Sequence, residues 1–250
     1  MTDAPRQDQA TLERVVEQAL TLARRKGATA AEAAAGVSTG LSVTVRLGEV
    51  ETLEYQRDRS LGVTVYSGQR KGSASTANLS PAAVEETVAK ALSIASFTTD
   101  DAFAGLPEAA LMARELPDLD LSHPWQLDAP TAIELARRCE QSALAFDTRI
   151  RNSEGASVST HRKLAVFGNS HGFIGGYPST SHSVSCVVLG QDDGDMQRDY
   201  WYTAARDWRA LEDIEEVGRK AARKAVERLG AGKLSTRKAP VLFAPDLARG

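Results

Sequence analysis

The sequence predicts an α+β fold of two helix–antiparallel meander–helix units, with the helices packed on one face of the sheets. Three observations predict it. Segments with a helical apolar period flank segments in which apolar and polar residues alternate. The alternating runs end at glycine-containing tight turns, as hairpins do, rather than at crossover helices. The same order of elements then recurs beyond a proline-interrupted connection.

The first helix is expected over Gln9–Lys26, where Leu12, Val15, Val16, Ala19, Leu20 and Ala23 form one stripe and Gly27 supplies the stop. Leu41, Val43, Val45 and Leu47 then alternate with polar residues up to Gly48. Leu61, Val63 and Val65 do the same up to Ser67-Gly68, and Lys71 to Thr76 continues as a polar strand. Ser80-Pro81 opens the second helix, serine as cap and proline pre-set for the first turn. From Phe97 to Asp128, Pro107, Pro117 and Pro124 interrupt the chain, which reads as a long connection with one short helix near Glu108–Arg114. Asp128 caps a helix to about Phe146. Strands follow at about Arg151–Ser159, Lys163–Gly168, Phe173–Tyr177, Ser181–Leu189 and Arg198–Ala205, and a helix from Leu211 to Leu229 closes the second unit. The expected organisation is one domain over 1–232, with repeats at about 1–97 and 128–230 joined by a linker over 98–127. Val241–Ala244 reads as a buried-type strand and Asp246 as a helix start, so 233–250 is expected to open a further, truncated C-terminal domain.

Composition narrows the function. Thirty basic residues stand against 33 acidic ones, without a basic run, which argues against direct nucleic-acid binding. Arg24-Arg25-Lys26 and Arg219-Lys220 lie late in predicted helices, where cations complement the helix dipole. Cys139 and Cys186 fall in segments of opposite type, so no disulfide framework is expected and a reducing cytoplasm fits. No apolar run approaches the roughly 20 residues that span a bilayer, and no signal peptide is visible. A soluble, cytoplasmic protein is expected.

Gly168-Asn169-Ser170-His171-Gly172 matches the G-x-S-x-G nucleophile elbow. That motif needs a helix after the serine, and Phe173-Ile174-Gly175-Gly176-Tyr177-Pro178 cannot start one. Ser170 therefore reads as part of a hairpin turn. None of His123, His161, His171 and His182 opens a helical zinc motif, so no metal ligand is assigned. Asp192-Asp193-Gly194-Asp195 lacks calcium-loop spacing and reads as an acidic turn, and Lys71–Thr76 is not a phosphate loop. In a strand Tyr200 and Tyr202 share one face and Trp201 takes the other. Sheet core is the plain account of these aromatics, and a face that takes an extended peptide by strand addition is the functional one. No catalytic, cofactor-binding or metal residue is assigned to this chain.

Several segments carry a resemblance to a known family. They are Arg151-Asn152-Ser153-Glu154-Gly155, Val166-Phe167-Gly168-Asn169-Ser170-His171-Gly172, and Gly194-Asp195-Met196 followed by Arg198-Asp199-Tyr200. Leu61–Tyr66 with Arg70–Ser75, and Lys233–Thr236 with Lys238–Val241, extend it over nearly the whole chain. The sequence resembles the TldD/PmbA family, and within it the PmbA (TldE) branch. The resemblance implies the N-terminal half of a cytoplasmic metallopeptidase subunit that processes small unfolded peptides, such as microcin precursors and antitoxins. It further implies a chain that binds no cofactor and pairs with a TldD-like catalytic subunit carrying the zinc. Links of the family to DNA gyrase are then indirect, through toxin–antitoxin turnover, without direct nucleic-acid or membrane contact. Two rival functions remain: a non-enzymatic peptide- or protein-binding module, and a serine hydrolase using Ser170.

Overall fold

The computed structural model describes residues 4–245, 247 and 248. Its elements are α1 (Ala4–Arg25), β1 (Ala30–Arg46), β2 (Glu49–Ser67), β3 (Arg70–Thr76), α2 (Pro81–Phe97), α3 (Ala129–Leu144), β4 (Ile150–Asn169), β5 (Ile174–Asp192), β6 (Asp195–Ala205) and α4 (Ile214–Glu227). The six strands form one antiparallel sheet in the order β3-β2-β1-β4-β5-β6. Each half contributes a hairpin-linked trio between two helices. The trios meet at the β1–β4 seam, where Val37 stands opposite Leu164 and Val43 opposite Val158.

All four helices lie on one face. Along β1 the buried apolar side chains are Ala31, Ala33 and Ala35, then Leu41, Val43 and Val45, all of one parity and so of one face. The alanines floor a core with α1 and α2, in which Leu12, Val16, Leu61, Val63, Val84 and Val88 are buried. The Leu/Val set floors a second core with α3 and α4, built on Ala136, Cys139, Val158, Val184, Val217 and Ala221. The expected fold class is the observed one. The caps are as expected too: the Ser80 hydroxyl accepts from Ala83 N–H at 3.4 Å, and the Asp128 carboxylate from Thr131 N–H at 2.9 Å.

The strands are fewer and longer than expected. Ala30–Gly40, an alanine-rich run to which the sequence assigns no element, belongs to β1, and Glu49–Ser60, mostly polar and exposed, belongs to β2. The two segments expected over Arg151–Gly168 are one strand, as are the two over Phe173–Leu189. Thr160–Arg162 crosses the gap between the two helix pairs, so alternation fades there without a break in the ladder. Pro178 sits within β5 because β6 pairs with β5 only from His182 onward, which leaves the proline at an unpaired stretch of edge. The short helix near Glu108–Arg114 is a single 3₁₀ turn, Ala109–Leu111. Val241–Ala244 is not a strand: no strand pairs with it among the described residues, and Leu242 is 97% exposed. Asp246 lies outside the described residues.

Two hairpin turns are each held by the opposite half. The β1–β2 turn places Leu47 and Gly48 at positive φ, 50° and 82°, which matches the strand twist of a two-residue hairpin. Fully buried Glu140 of α3 accepts both of their N–H groups at 2.8 Å, and Arg137 Nε donates to the Gly48 carbonyl at 2.9 Å. At the β4–β5 turn, Ser170 N–H donates to the Ala31 carbonyl at 2.8 Å, and its hydroxyl accepts from Ala31 N–H at 3.0 Å.

Candidate functional site

Strand parity assigns the other face of the sheet to small and hydroxylated residues. From β1 these are Ala34, Gly36, Ser38, Gly40, Ser42 and Thr44; β4 adds Ser157 and Ser159, and β5 adds Ser181, Ser183 and Ser185. Among the described residues no helix covers this face. Its hydroxyls satisfy one another across strands: Thr44 with Ser157 at 2.8 Å, Ser159 with Ser183 at 2.8 Å, and Thr64 with Ser73 at 2.9 Å. Such pairs keep a polar sheet face ordered while leaving hydroxyl lone pairs available to a ligand. Along its β6 margin, Tyr200 and Tyr202 stack at 6.3 Å and remain half exposed. Trp201 turns the other way, into the α4 core, with Lys220 and Lys224 over its ring at 5.1 and 5.3 Å. The core account of the aromatics therefore holds for Trp201 alone. Arg198, beside the tyrosines, pairs with Glu154 at 2.7 Å.

Among the described residues the face carries no activated nucleophile. Its paired hydroxyls bond to hydroxyls, not to a base, and a nucleophilic serine needs a base within hydrogen-bond reach. His161 lies on this face opposite Gly40 and Ser181, packed where a Cβ on Gly40 would overlap its ring. Ser170 is spent on Ala31, and the strand β5 follows its turn where an elbow needs a helix.

The other singled-out residues are scattered. His182 is fully buried on the helix side, with Nδ1 2.9 Å from the Thr160 hydroxyl and Nε2 2.9 Å from the His123 carbonyl. Its burial, the dominant influence, pushes the imidazole below its ordinary range. Trp125 meets that ring edge-on at 5.7 Å and stacks on Trp208, so the connection is stapled to β5 here. His171 sits in the β4–β5 turn, where its N–H donates to the Asn169 side chain at 3.0 Å. Among the described residues no three of His, Cys, Asp and Glu gather as metal ligands, and the histidines present do not fit a zinc site. Asp193-Gly194, at φ 41° and 86°, form the β5–β6 turn. Lys71–Thr76 lies in β3. Cys139 and Cys186, remote in sequence, meet under α3; a hydrogen bond between them and their burial hold the Cys186 thiol far above its usual range.

Charged anchors hold the frame rather than a reacting centre. Burial alone would raise the Asp199 carboxyl, but hydrogen bonds from Tyr200 N–H at 2.8 Å, Arg228 at 3.1 Å and Lys224 at 3.3 Å keep it below the ordinary range. Arg149 and Arg209 each grip a neighbouring carboxylate, holding Asp147 and Asp207 at about 2. One feature escaped the sequence: the outer edge of β2 from Glu49 to Ser60, which β3 does not reach. Its one faint signal was the alternation of Leu53 and Tyr55 within a charged run.

Comparison with known proteins places this architecture. Sequence models described as PmbA/TldA metallopeptidase domain 1 and PmbA/TldA metallopeptidase central domain match residues 31–95 and 122–229. The chain belongs to the PmbA/TldD family. It is 49% identical to the Metalloprotease PmbA of Escherichia coli O157:H7 and 45% identical to a Metalloprotease PmbA homolog of Haemophilus influenzae. Each alignment covers 96% of this chain and 53% of the relative, so the chain spans about half the length of these relatives. It corresponds to the N-terminal half of a PmbA family member. The fold is shared with a Bacteroides thetaiotaomicron protein described as a candidate modulator of DNA gyrase, at TM-score 0.80 and 24% identity over 88% of this chain and 51% of that one. TldE of Thermococcus kodakarensis has it too, at TM-score 0.66 and 18% identity over 85% and 47%. Among the described residues no helix is long and apolar enough to cross a membrane.

Proposed function

We propose that this chain is part of a PmbA/TldE-like subunit of a cytoplasmic zinc metallopeptidase complex. In that complex a TldD-like partner carries the zinc, and this subunit helps enclose a small unfolded peptide. The observation that carries the reading is the pairing of 49% identity to a metalloprotease PmbA with a hydroxyl-lined, helix-free sheet face that has no activated nucleophile. Zinc on the partner would polarise the scissile carbonyl and activate water. The residues here contribute surface: cross-strand hydroxyls, the Tyr200–Tyr202 stack and exclusion of solvent. A second reading, a peptide- or protein-binding module without peptidase action, draws on the same face.

The test joins this chain to the C-terminal half its relatives carry and co-expresses it with a TldD-like subunit. A stable heteromer that cleaves unfolded peptides, loses activity to chelator and keeps it in Ser170→Ala is the expected result. Cleavage by this subunit alone in the presence of chelator would sink the proposal. Peptide binding without cleavage in the heteromer would favour the binding module.

A further inference from the structure

The sheet has two outer edges, and they are treated differently. On β5 the edge is taken by β6 from His182 to Asp192, and beyond it Thr180 N–H donates to the Leu121 carbonyl of the connection at 2.9 Å. On β2 the edge is taken by β3 from Leu61 to Ser67 only. Glu49 to Ser60 has no strand or loop against its outer side among the described residues, and every one of these residues is exposed. An open edge of this length is a template for another strand. It also carries apolar surface: Val50 is 40% exposed, Leu53 46% and Tyr55 70%.

Charges on an edge ordinarily repel a second strand. Here their order does the reverse. On one face the segment reads Glu49, Glu51, Leu53, Tyr55, Arg57, Arg59, with acids at one end and arginines at the other; Glu54 and Asp58 lie on the opposite face. An antiparallel copy centred on Glu54 sets Glu49 opposite Arg59, Glu51 opposite Arg57 and Leu53 opposite Tyr55. A slip of two residues either way keeps only one of the two opposite-charge pairs. Arg57 and Arg59 form no ion pair within the chain among the described residues; Glu51 has only Arg46, at 3.6 Å and exposed. The like-charge contact of Glu54 with its own copy is a cost at the axis itself. The pairing stops at Arg59, just short of Leu61, where β3 begins.

We infer that the β2 edge from Glu49 to Arg59 is a two-fold interface between two copies of this chain. Antiparallel pairing about an axis normal to the sheet is isologous and closes at two subunits. It joins two six-stranded sheets into one of twelve, with all helices on one side. The interface lies apart from the helix-free face and does not depend on the proposed peptidase role.

Sedimentation of the chain over a wide concentration range tests this. Wild type is expected to dimerise reversibly. Arg57→Glu with Arg59→Glu leaves four acids on that face of the edge, and Glu49→Arg with Glu51→Arg leaves four arginines there. Each variant alone should associate about tenfold more weakly or worse, since attractive cross-strand pairs become repulsive. Mixed together, the two should form a heterodimer at wild-type strength. Unchanged melting curves certify folding; should a double variant misfold, Arg57→Glu and Glu51→Arg alone serve the same scheme. Wild type that stays monomeric, variants that dimerise normally, or a mixture that fails to recover each overturns the inference. Loss of a TldD-like heteromer in the variants, with no homodimer in wild type, would assign the edge to that partner instead.

Discussion

The two halves of the sheet share an order of elements but not a way of finishing it. In the first half α2 lies so close on β3 that a Cβ at Gly72 would overlap the Ala91 carbonyl and Ala95 N. In the second half the glycine under the last helix, Gly190 of β5, is roomier: a Cβ there would meet only the tip of Leu229 at 3.3 Å and the Ala225 carbonyl at 3.5 Å. The first half seals its core with a short β3 and leaves β2 open. The second runs β6 along β5 and adds the connection, fixed by buried His182 and Thr180. Identical topology thus yields a second strand, β5, covered along most of its outer side in one half and a second strand, β2, left open over Glu49–Ser60 in the other. What differs is how far the third strand runs.

Substitution at the two glycines should expose the contrast most strongly. Gly72→Ala is expected to cost about 3 kcal/mol or more, because backbone atoms of α2 must move. Gly190→Ala should cost less than about 1 kcal/mol, since the flexible end of Leu229 can shift. Equilibrium urea unfolding of both variants decides it, and similar losses would remove the distinction.

The turn clamps offer a second comparison. Glu140→Gln puts an amide that can accept from only one of Leu47 and Gly48, a loss of about 2 kcal/mol. Ser170→Ala removes one hydrogen bond at a more exposed turn and should cost about 1 kcal/mol. Amide exchange should quicken at Leu47 and Gly48 in the first variant and at Ala31 in the second. Exchange unchanged at these amides would mean that the turns hold themselves.

What the sequence revealed tracks how directly each residue's local chemistry matches its final role. Helices with one apolar stripe and a side-chain cap, such as those opened by Ser80 and Asp128, were readable because pattern and structure coincide. Ala31–Ala35 gave no strand signal because alanine favours helix, whereas here its small size lets α1 sit close on β1, a tertiary demand that overrides propensity. Strand continuity through Thr160–Arg162 was hidden because no helix lies overhead to impose alternation. The turn role of Ser170 was readable from Gly175-Gly176, but its bond to Ala31, 139 residues away, was not. The open β2 edge was the hardest to see, since exposure on both faces erases the period that marks a strand.

The smallest expected effect separates the halves by pH. His182 belongs to the second half's seal, where burial disfavours the imidazolium and outweighs the hydrogen bond to the His123 carbonyl and the pull of Asp207; Arg162 adds to the disfavour. The folded value therefore lies below the unfolded one, near 6.5. Over that interval the unfolded chain binds more protons than the folded one, so stability is present above about pH 6.5 and falls as pH drops through the folded value. Asp199 also has a depressed folded value, but its stabilisation is lost only at lower pH, below about 4 where unfolded aspartate titrates. Unfolding measured between pH 7 and 5 should thus show a loss that His182→Gln largely abolishes and Asp199→Asn does not. Exchange of β5 and β6 amides should quicken over the same range, while those of β2 and β3 hold steady. A loss that persists in His182→Gln, or that falls equally on β2 and β3, would show that the second half is not the pH-sensitive one.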